Sequence, residues 1–374
     1  MSKDTHKLML SHSQAKVKLY GNYLAKYLNI ISQDGFTKTI HLYDLFCGEG
    51  IYEDGGHGSP MIALEKILNC YNGNSQMPKV NITLNDKGAD VISKLNENLK
   101  KISIPQNCAT RVFNNDYLNL VDKVNSEISA FDNEKAVVFL DPKGYKEISI
   151  NDIKKLLSTD KSEVLVFLPI RDMHRFANME ESKMSASAGH EPLYKFMREV
   201  FPEQIPSFDS QLDFITKVKE GLKKILPNIF VDTFLLEKEP GQFFCMFFFT
   251  THIYGFEKML ETKWELDTEQ GRAFRYEQSG TMFSGSEVLN FPDKLKKFIQ
   301  SDKRHNGEVY LFSLHEGFLP KHANDVLRDW QGGNTLDVIN SNGTAARKNS
   351  FYLNYQTYKS DPKKIYFDIK LTLF

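Results

Sequence analysis

Cysteine is scarce. The chain of 374 residues has four, Cys47, Cys70, Cys108 and Cys245, and no two form a Cys-x-x-Cys pair. That spacing excludes a zinc finger or ribbon and a disulfide framework, and no metal site is expected. Long apolar runs are also missing. The longest candidate, residues 243–253, is about half of the ~20 residues a membrane helix needs, and it carries His252. Residues 1–6 hold no apolar signal core, so a cytoplasmic protein without membrane contact is expected. Nor is there an excess of either charge: 47 Lys and Arg face 48 Asp and Glu, for a net charge of -1. That excludes a globally basic nucleic-acid binder and leaves room for a local basic patch. What is present, 41% hydrophobic and 25% charged residues, suits a globular protein of two domains.

Apolar runs alternate with amphipathic stretches. Residues 16–31 place Val17, Tyr20, Leu24, Tyr27, Leu28 and Ile31 at helical spacing. Strands are predicted at 41–46, 80–84, 109–113, 136–140 and 164–168, with helices at 59–68, 91–102, 121–128 and 150–157 between them. Ser59-Pro60 supplies the cap and first position of one such helix. Repeated strand–helix units with near-continuous apolar strands predict an α/β fold with a parallel sheet covered on both faces. A strand pair, 230–236 and 242–251, closes the sheet, and 243–249 reads as a buried strand and not as a binding stripe. A polar helical segment, 171–226, interrupts the order and reads as an insert, a lid or a substrate-recognition element.

After about Gly285 the pattern changes. Helices at 293–299, 309–316 and 320–330 precede a hairpin through Asn342-Gly343 and strand-like segments at 351–353 and 365–367. Helix–turn–helix followed by a β-hairpin is the order of a winged helix. The expected domains are therefore 1–284, Rossmann-like with the 171–226 insert, and 285–374, winged-helix-like.

The sharpest motif is Asp44-Leu45-Phe46-Cys47-Gly48-Glu49-Gly50, an acid at a strand end followed by Gly-x-Gly, which lets backbone approach a ligand closely. Position 53 is Glu, so the dinucleotide fingerprint is incomplete, and no Gly-Lys-Ser/Thr follows. A ligand with little phosphate, such as S-adenosylmethionine, fits better than a dinucleotide. Asn85, Asp86 and Asp116 fall at the next two strand ends, where an acid can accept from ribose hydroxyls or an adenine amine; helix capping is the alternative for each. His12 and Lys16 share a helix face at i, i+4 and are placed to reach a cofactor carboxylate or a substrate phosphate, or else simply to face solvent. Tyr52-Glu53-Asp54 is either a gate over the cofactor or a surface turn.

Asp141-Pro142-Lys143-Gly144-Tyr145 is the second motif. Amino-methyltransferases use Asp/Asn-Pro-Pro-Tyr/Phe at this strand end, where the acid or amide orients the target amine and the aromatic stacks on the base. Asp141, Pro142 and Tyr145 are the catalytic candidates, with a strand-ending turn as the alternative. No Pro-Cys nucleophile is present, which disfavours C5-cytosine chemistry. Arg171 and Arg175 follow the fifth strand and are candidates for substrate contact. Arg347 and Lys348 near the wing are candidates for phosphate contact, while Asp325 and Asp329 on the recognition-helix candidate oppose DNA.

The chain resembles the three-Cys-motif partner protein family, TcmP. The resemblance rests on His12 and Lys16 ahead of Tyr23-Leu24, on the glycine motif Asp44–Gly55 with Gly58-Ser59-Pro60, on Phe139–Tyr145, and on Gly317-Phe318-Leu319-Pro320-Lys321-His322-Ala323. Phe46, Gly48, Gly50, Tyr52 and Ser59 are carried as cofactor-site candidates with it. Lys143 stands where the family usually has an aromatic, which moves any stacking role to Tyr145. The resemblance implies a class I methyltransferase-like Rossmann fold encoded beside a three-cysteine, radical-S-adenosylmethionine-like protein, in loci of nucleic-acid modification or phage defence. Two readings follow: a methyltransferase acting on a nucleobase of DNA or RNA, or a non-catalytic nucleotide- or nucleic-acid-binding partner of the three-cysteine protein.

Overall fold

The computed structural model describes residues 8–179, 189–239, 242–268, 271–274 and 290–370. The chain divides into two compact units, Met1–Leu266 with Arg272–Tyr276, and Asp267–Gly271 with Glu277–Phe374. The expected boundary at 284/285 and the 180–188 part of the expected insert lie outside the described residues. No helix among the described residues is long and apolar enough to cross a membrane, and no cluster of three or more metal-ligating side chains occurs among them.

The first unit runs α1 (Ser11–Ile31), β1 (Thr39–Asp44), α2 (Ser59–Gly73), β2 (Lys79–Asn85), α3 (Ala89–Leu99), β3 (Cys108–Phe113), α4 (Tyr117–Ser129), β4 (Glu134–Leu140), α5 (Ile150–Leu156) and β5 (Ser162–Leu168). It continues through α6 (Ile170–Ala177), α7 (Glu191–Val200), α8 (Gln211–Ile225), β6 (Phe230–Glu239), β7 (Gln242–Thr250), α9 (Ile253–Leu266) and β8 (Ala273–Phe274). The eight strands lie in the order β3-β2-β1-β4-β5-β7-β6-β8. The first five are parallel, and β7 inserts antiparallel between β5 and β6. From β1 the chain steps outward to β2 and β3, then crosses back to β4. Right-handed crossovers in both directions put helices on both faces and open a crevice where the order reverses, between the ends of β1 and β4.

The apolar runs explain the burial. β5 is buried along its whole length, and Ile40, Leu42, Val138, Phe139 and Leu140 are fully inside. α1 begins at Ser11, earlier than its apolar periodicity indicates, and lays Leu19, Tyr20, Tyr23 and Leu24 on the sheet. Tyr20 stacks on Phe139 of β4 with centroids 4.5 Å apart, and Tyr23 meets Phe248 of β7 edge-on at 4.9 Å. The expected insert is helical: α6, α7 and α8 occupy the stretch between β5 and β6.

A carboxyl group is buried at the opposite end of β5 from the crevice. Glu163 accepts from the hydroxyls of Tyr23 and Thr250, and an added Cβ at Gly255 in α9 would lie 2.1 Å from its Oε1. Burial pushes its pKa up to about 7 from 4.5, against the pull of those two hydrogen bonds. The folded chain therefore holds this proton more tightly than the unfolded chain. The resulting stability is complete below pH 4.5 and is lost as pH rises through 7. Glu163→Gln should make the decline across that window shallower and raise stability above it by about 1–3 kcal/mol. Thermal denaturation over a pH series reads this; an unchanged slope would contradict it.

The second unit runs α10 (Phe291–Ser301), β9 (Arg304–His305), α11 (Asn306–His315), α12 (Pro320–Gly332), β10 (Leu336–Asn340), α13 (Tyr355–Ser360) and β11 (Ile365–Ile369), with an antiparallel sheet in the order β10-β11-β9. Leu295, Ile299, Val309, Leu314, Leu327, Val338, Ile365 and Phe367 form its core. Two sequence expectations are corrected here. The turn at Asn342-Gly343 closes only a single bridge, Ile339 to Ala345, and the long-range partner of β10 is β11. Residues 351–353 form no strand, because Tyr352 sits at φ 54°, in the left-handed region, while Phe351 and Leu353 beside it are buried.

Candidate functional site

The crevice at the sheet's switch point holds a cavity of about 340 Å³. Its floor is the loop after β1. Gly48 and Gly50 have φ of 62° and 79°, which side-chain-bearing residues rarely adopt, so the chain can turn sharply under the cavity. An added Cβ at Gly50 would also lie 2.4 Å from Cε of Met61 in α2, so this glycine is fixed by packing as well. Beyond it, Ile51 bridges His57, the Tyr52 N–H donates to Gly56 O at 2.9 Å, and the Gly58 N–H donates to Gly50 O at 2.8 Å. Residues 50–58 are thus a short hairpin, with Tyr52 on the cavity side. Asp54 ties its tip to the start of α1 by accepting from the Met9 N–H at 2.8 Å. Gly58, not Ser59, occupies the cap position of α2, and Ser59 lies buried in the cavity wall.

Asp44 lies at the end of β1, 3% exposed, and neither carboxylate oxygen completes a hydrogen bond of ordinary geometry. Burial raises its pKa to about 7; the nearby Ser59 hydroxyl and Phe46 N–H act in the opposite direction and offset this only in part. A buried acid without partners is costly, and a donor, above all a cationic one, brought beside it would relieve that cost. Asp86, after β2, is buried at the cavity wall, with Oδ1 accepting from the Gly88 N–H at 2.8 Å. Asn85 also lines the cavity, but its amide is engaged: Nδ2 donates to Leu45 O and Asn115 O, and Oδ1 accepts from the Asn115 N–H. Asn85 therefore stitches the loops after β1 and β3 together. Phe46 and Tyr117 stack with centroids 5.1 Å apart along the same wall.

On the other side of the cavity stand the first turns of α1 and the ends of β4, β5 and β7. Lys16 is ion-paired with Asp141, and its Nζ lies 4.9 Å from the centroid of the Phe167 ring. Burial works against the lysine's charge, but Asp141, Tyr52 and Asp44 outweigh it and raise its pKa. Phe167 stacks on Phe244, and Phe244 on His12, each pair with centroids 5.1 Å apart. Burial and then the charge of Lys16 lower the His12 pKa to about 4, so the ring is neutral at pH 7; its buried Nδ1 has no partner.

The structure thus brings His12, Lys16, Phe46, Gly48, Gly50, Tyr52, Ser59, Asn85, Asp86, Asp141 and Pro142 to one cavity, with Asp44 beneath it. Six other candidates lie outside the cavity lining. Asp116 is exposed, between the lining residues Asn115 and Tyr117, and caps α4 with Oδ1 accepting from the Leu118 N–H at 3.0 Å. Tyr145 is buried outside the cavity lining, near Asp172 and Arg175; the exposed Lys143 lines the cavity mouth instead. Arg171 and Arg175 are exposed on α6, the latter lying over the Phe176 ring at 4.4 Å. Arg347 and Lys348 are exposed in the second unit. Residues 243–249 do lie in a strand, β7, buried from Cys245 on, but Phe244 near its start lines the cavity. β7 runs antiparallel, so its first residues reach the edge where β5 ends. Pro169, Glu147 and Lys238 are further lining residues that carried no sequence signal. Asp116→Ala should reduce stability by about 0.5–2 kcal/mol through the lost cap and leave ligand affinity in the cavity unchanged, as urea denaturation and calorimetry would show.

A mixed sheet with parallel strands in the order 3-2-1-4-5, followed by an antiparallel strand inserted beside β5, defines a methyltransferase-like Rossmann fold. No protein-family model matches the chain, and no curated protein matches it. Solved structures it is similar to include Trm1 from Pyrococcus horikoshii with S-adenosyl-L-methionine, at 12% identity and a TM-score of 0.34 over 66% of this chain and 58% of that one. Cofactor-bound Rv0187 from MTB matches at 11% identity and 0.33, over 61% and 78%. The O-methyltransferase from Bacillus cereus in complex with SAH matches at 10% identity and 0.30, over 61% and 80%. Likeness at these levels carries no argument about chemistry, and the fold class rests on the strand order.

Proposed function

We propose that the chain is an S-adenosylmethionine-dependent methyltransferase acting on a nucleobase of DNA or RNA. The observation that carries the reading is Asp44: a buried acid beside the glycine-turned cavity, with the Ser59 hydroxyl and Phe46 N–H nearby but neither oxygen in a hydrogen bond of ordinary geometry, a place suited to an ammonium group. Asp44 and Ser59 would hold the amino-acid end of the cofactor. Gly48 and Gly50 would let the backbone approach it. The free oxygen of Asp86 would accept from the ribose hydroxyls, and Phe46 and Tyr117 would bound the adenine. When bound, the cofactor supplies an electrophilic methyl group on a sulfonium, already a good leaving group. Asp141 and Pro142 would orient the acceptor nitrogen, and the stacked wall of Phe167, Phe244 and His12 would keep water from it. The proton that nitrogen sheds would leave to solvent; His12, its pKa lowered to about 4 by burial and Lys16, stays neutral. Positioning supplies most of the catalysis.

The element order of the second unit, helix–strand–helix–helix–strand–strand with a short helix before the last strand, supports a winged helix. Membership of the three-Cys-motif partner family, and a co-encoded three-cysteine protein as partner, rest on the sequence motifs. A second reading, a non-catalytic binding partner with a retained fold, is favoured by one contact: Lys16 already occupies the carboxylate of Asp141. Tritiated methyl transfer to mixed DNA and RNA, with and without the three-cysteine protein, separates the two. Transfer is expected; none under any condition, from a protein that binds the cofactor, would favour the second reading.

A further inference from the structure

We infer that the outer face of the small sheet in the second unit binds single-stranded nucleic acid, with Tyr352 and Tyr366 as stacking platforms and Lys303 and Lys364 as phosphate contacts. The inference rests on the nucleic-acid part of the proposed function and names the surface that would carry it. Along β11, Ile365, Phe367 and Ile369 are buried and Tyr366 faces outward, as the alternation of a strand requires. Lys364 continues that alternation, and its carbonyl still accepts from the Ser341 N–H at 3.2 Å. Tyr366 lies opposite Ile339 of β10 and His305 of β9, and the His305 ring meets it edge-on at 6.1 Å.

Two lysine-over-tyrosine pairs decorate this face. Lys303 Nζ lies 4.9 Å from the Tyr366 centroid, and Lys364 Nζ 4.2 Å from that of Tyr352. Neither lysine makes an ion pair among the described residues. Tyr352 is held at φ 54°, a conformation bulky residues rarely adopt, between the buried Phe351 and Leu353. Charge agrees with the assignment: residues 290–370 carry 13 Lys and Arg against nine Asp and Glu, in a chain whose net charge is -1. At the far end of the face Asp337 opposes Asp368 and pairs with Lys370 at 3.0 Å, while near Lys303 the acids Asp302 and Glu308 are engaged by Arg304 and His305. The unpaired cations of the face are thus at the Lys303 and Lys364 end.

A duplex reader would instead present cations on α12. That helix carries Asp325 and Asp329, and its Arg328 is paired with Asp325 at 2.8 Å. Tyrosine faces read unpaired bases and discriminate little among them, and flexible lysines can leave a ring for a phosphate as a base stacks.

The test is fluorescence anisotropy of the full chain with labelled oligo(rU), oligo(dT) and a short DNA duplex, without cofactor. Both single strands should bind more tightly than the duplex, and the better of the two identifies RNA or DNA as the preferred source. Tyr366→Ala and Tyr352→Ala should each weaken binding by roughly 5- to 150-fold. Tyr352→Asn, which tolerates the left-handed backbone, should do the same with the fold intact. Lys303→Ala and Lys364→Ala should each lower the slope of log K against log salt by about 0.7. Arg328→Ala should change nothing. Duplex preference, failure of every probe to bind, or unchanged affinity in the tyrosine variants would overturn the inference. Because cofactor binding by the first unit is measured separately, loss of one reading is distinguishable from loss of the other.

Discussion

Asp141→Ala should abolish methyl transfer and at the same time destabilise the chain. The acid orients the acceptor, so its removal takes away positioning that only the reaction uses. It also strands Lys16, whose side chain is 9% exposed, without its partner. Breaking a buried pair costs about 3–5 kcal/mol, and the 20% exposure of Asp141 places the expected loss at the lower part of that range. A clean reading of catalysis therefore needs Asp141→Asn, which keeps the shape and one acceptor oxygen. With Asn, cofactor affinity should hold and transfer should return in part, because an amide oxygen can orient the acceptor amine as the acid does. Lys16→Met in the Asp141→Ala background should recover stability without recovering transfer. Transfer that survives Asp141→Ala would remove this residue from the active site.

Asp86→Ala should weaken S-adenosylmethionine binding by roughly 10- to 150-fold, the ~1.5–3 kcal/mol of a hydrogen bond to a charged acceptor. The carboxylate keeps one oxygen on the Gly88 N–H at 2.8 Å, so some loss will come from the loop itself. Asp86→Asn separates the two, because the amide oxygen can still hold the loop while the negative acceptor is gone. Calorimetry on both variants reads the difference, and parental affinity in both would leave Asp86 as a turn residue only.

The strand-end polar residues were legible because a doubly wound sheet delivers the residues after its parallel strands to one edge. Asp44, Gly48, Gly50, Asp86 and Asp141 follow from that rule alone. Three parts of the site were not legible. The pairing of Lys16 with Asp141 spans 125 residues of sequence and depends on where α1 crosses the sheet. Phe244 lies in a phenylalanine-rich run, and only the insertion of β7 antiparallel beside β5 tells which end reaches the cavity. Asp116 and Tyr145 had the right residue types at plausible spacing, but the first is used in capping and the second turns into the protein beside Asp172. In the second unit, helix periodicity located α10, α11 and α12. The left-handed Tyr352 broke the strand that its apolar neighbours suggested.

The central claim is that the cavity over Asp44 holds S-adenosylmethionine, and isothermal titration calorimetry of the full chain with that compound tests it most directly. Saturable binding at one site is expected, with Asp44→Ala losing it while circular dichroism shows the fold retained. No heat of binding by the parent chain, or equal affinity in Asp44→Ala, would contradict the assignment.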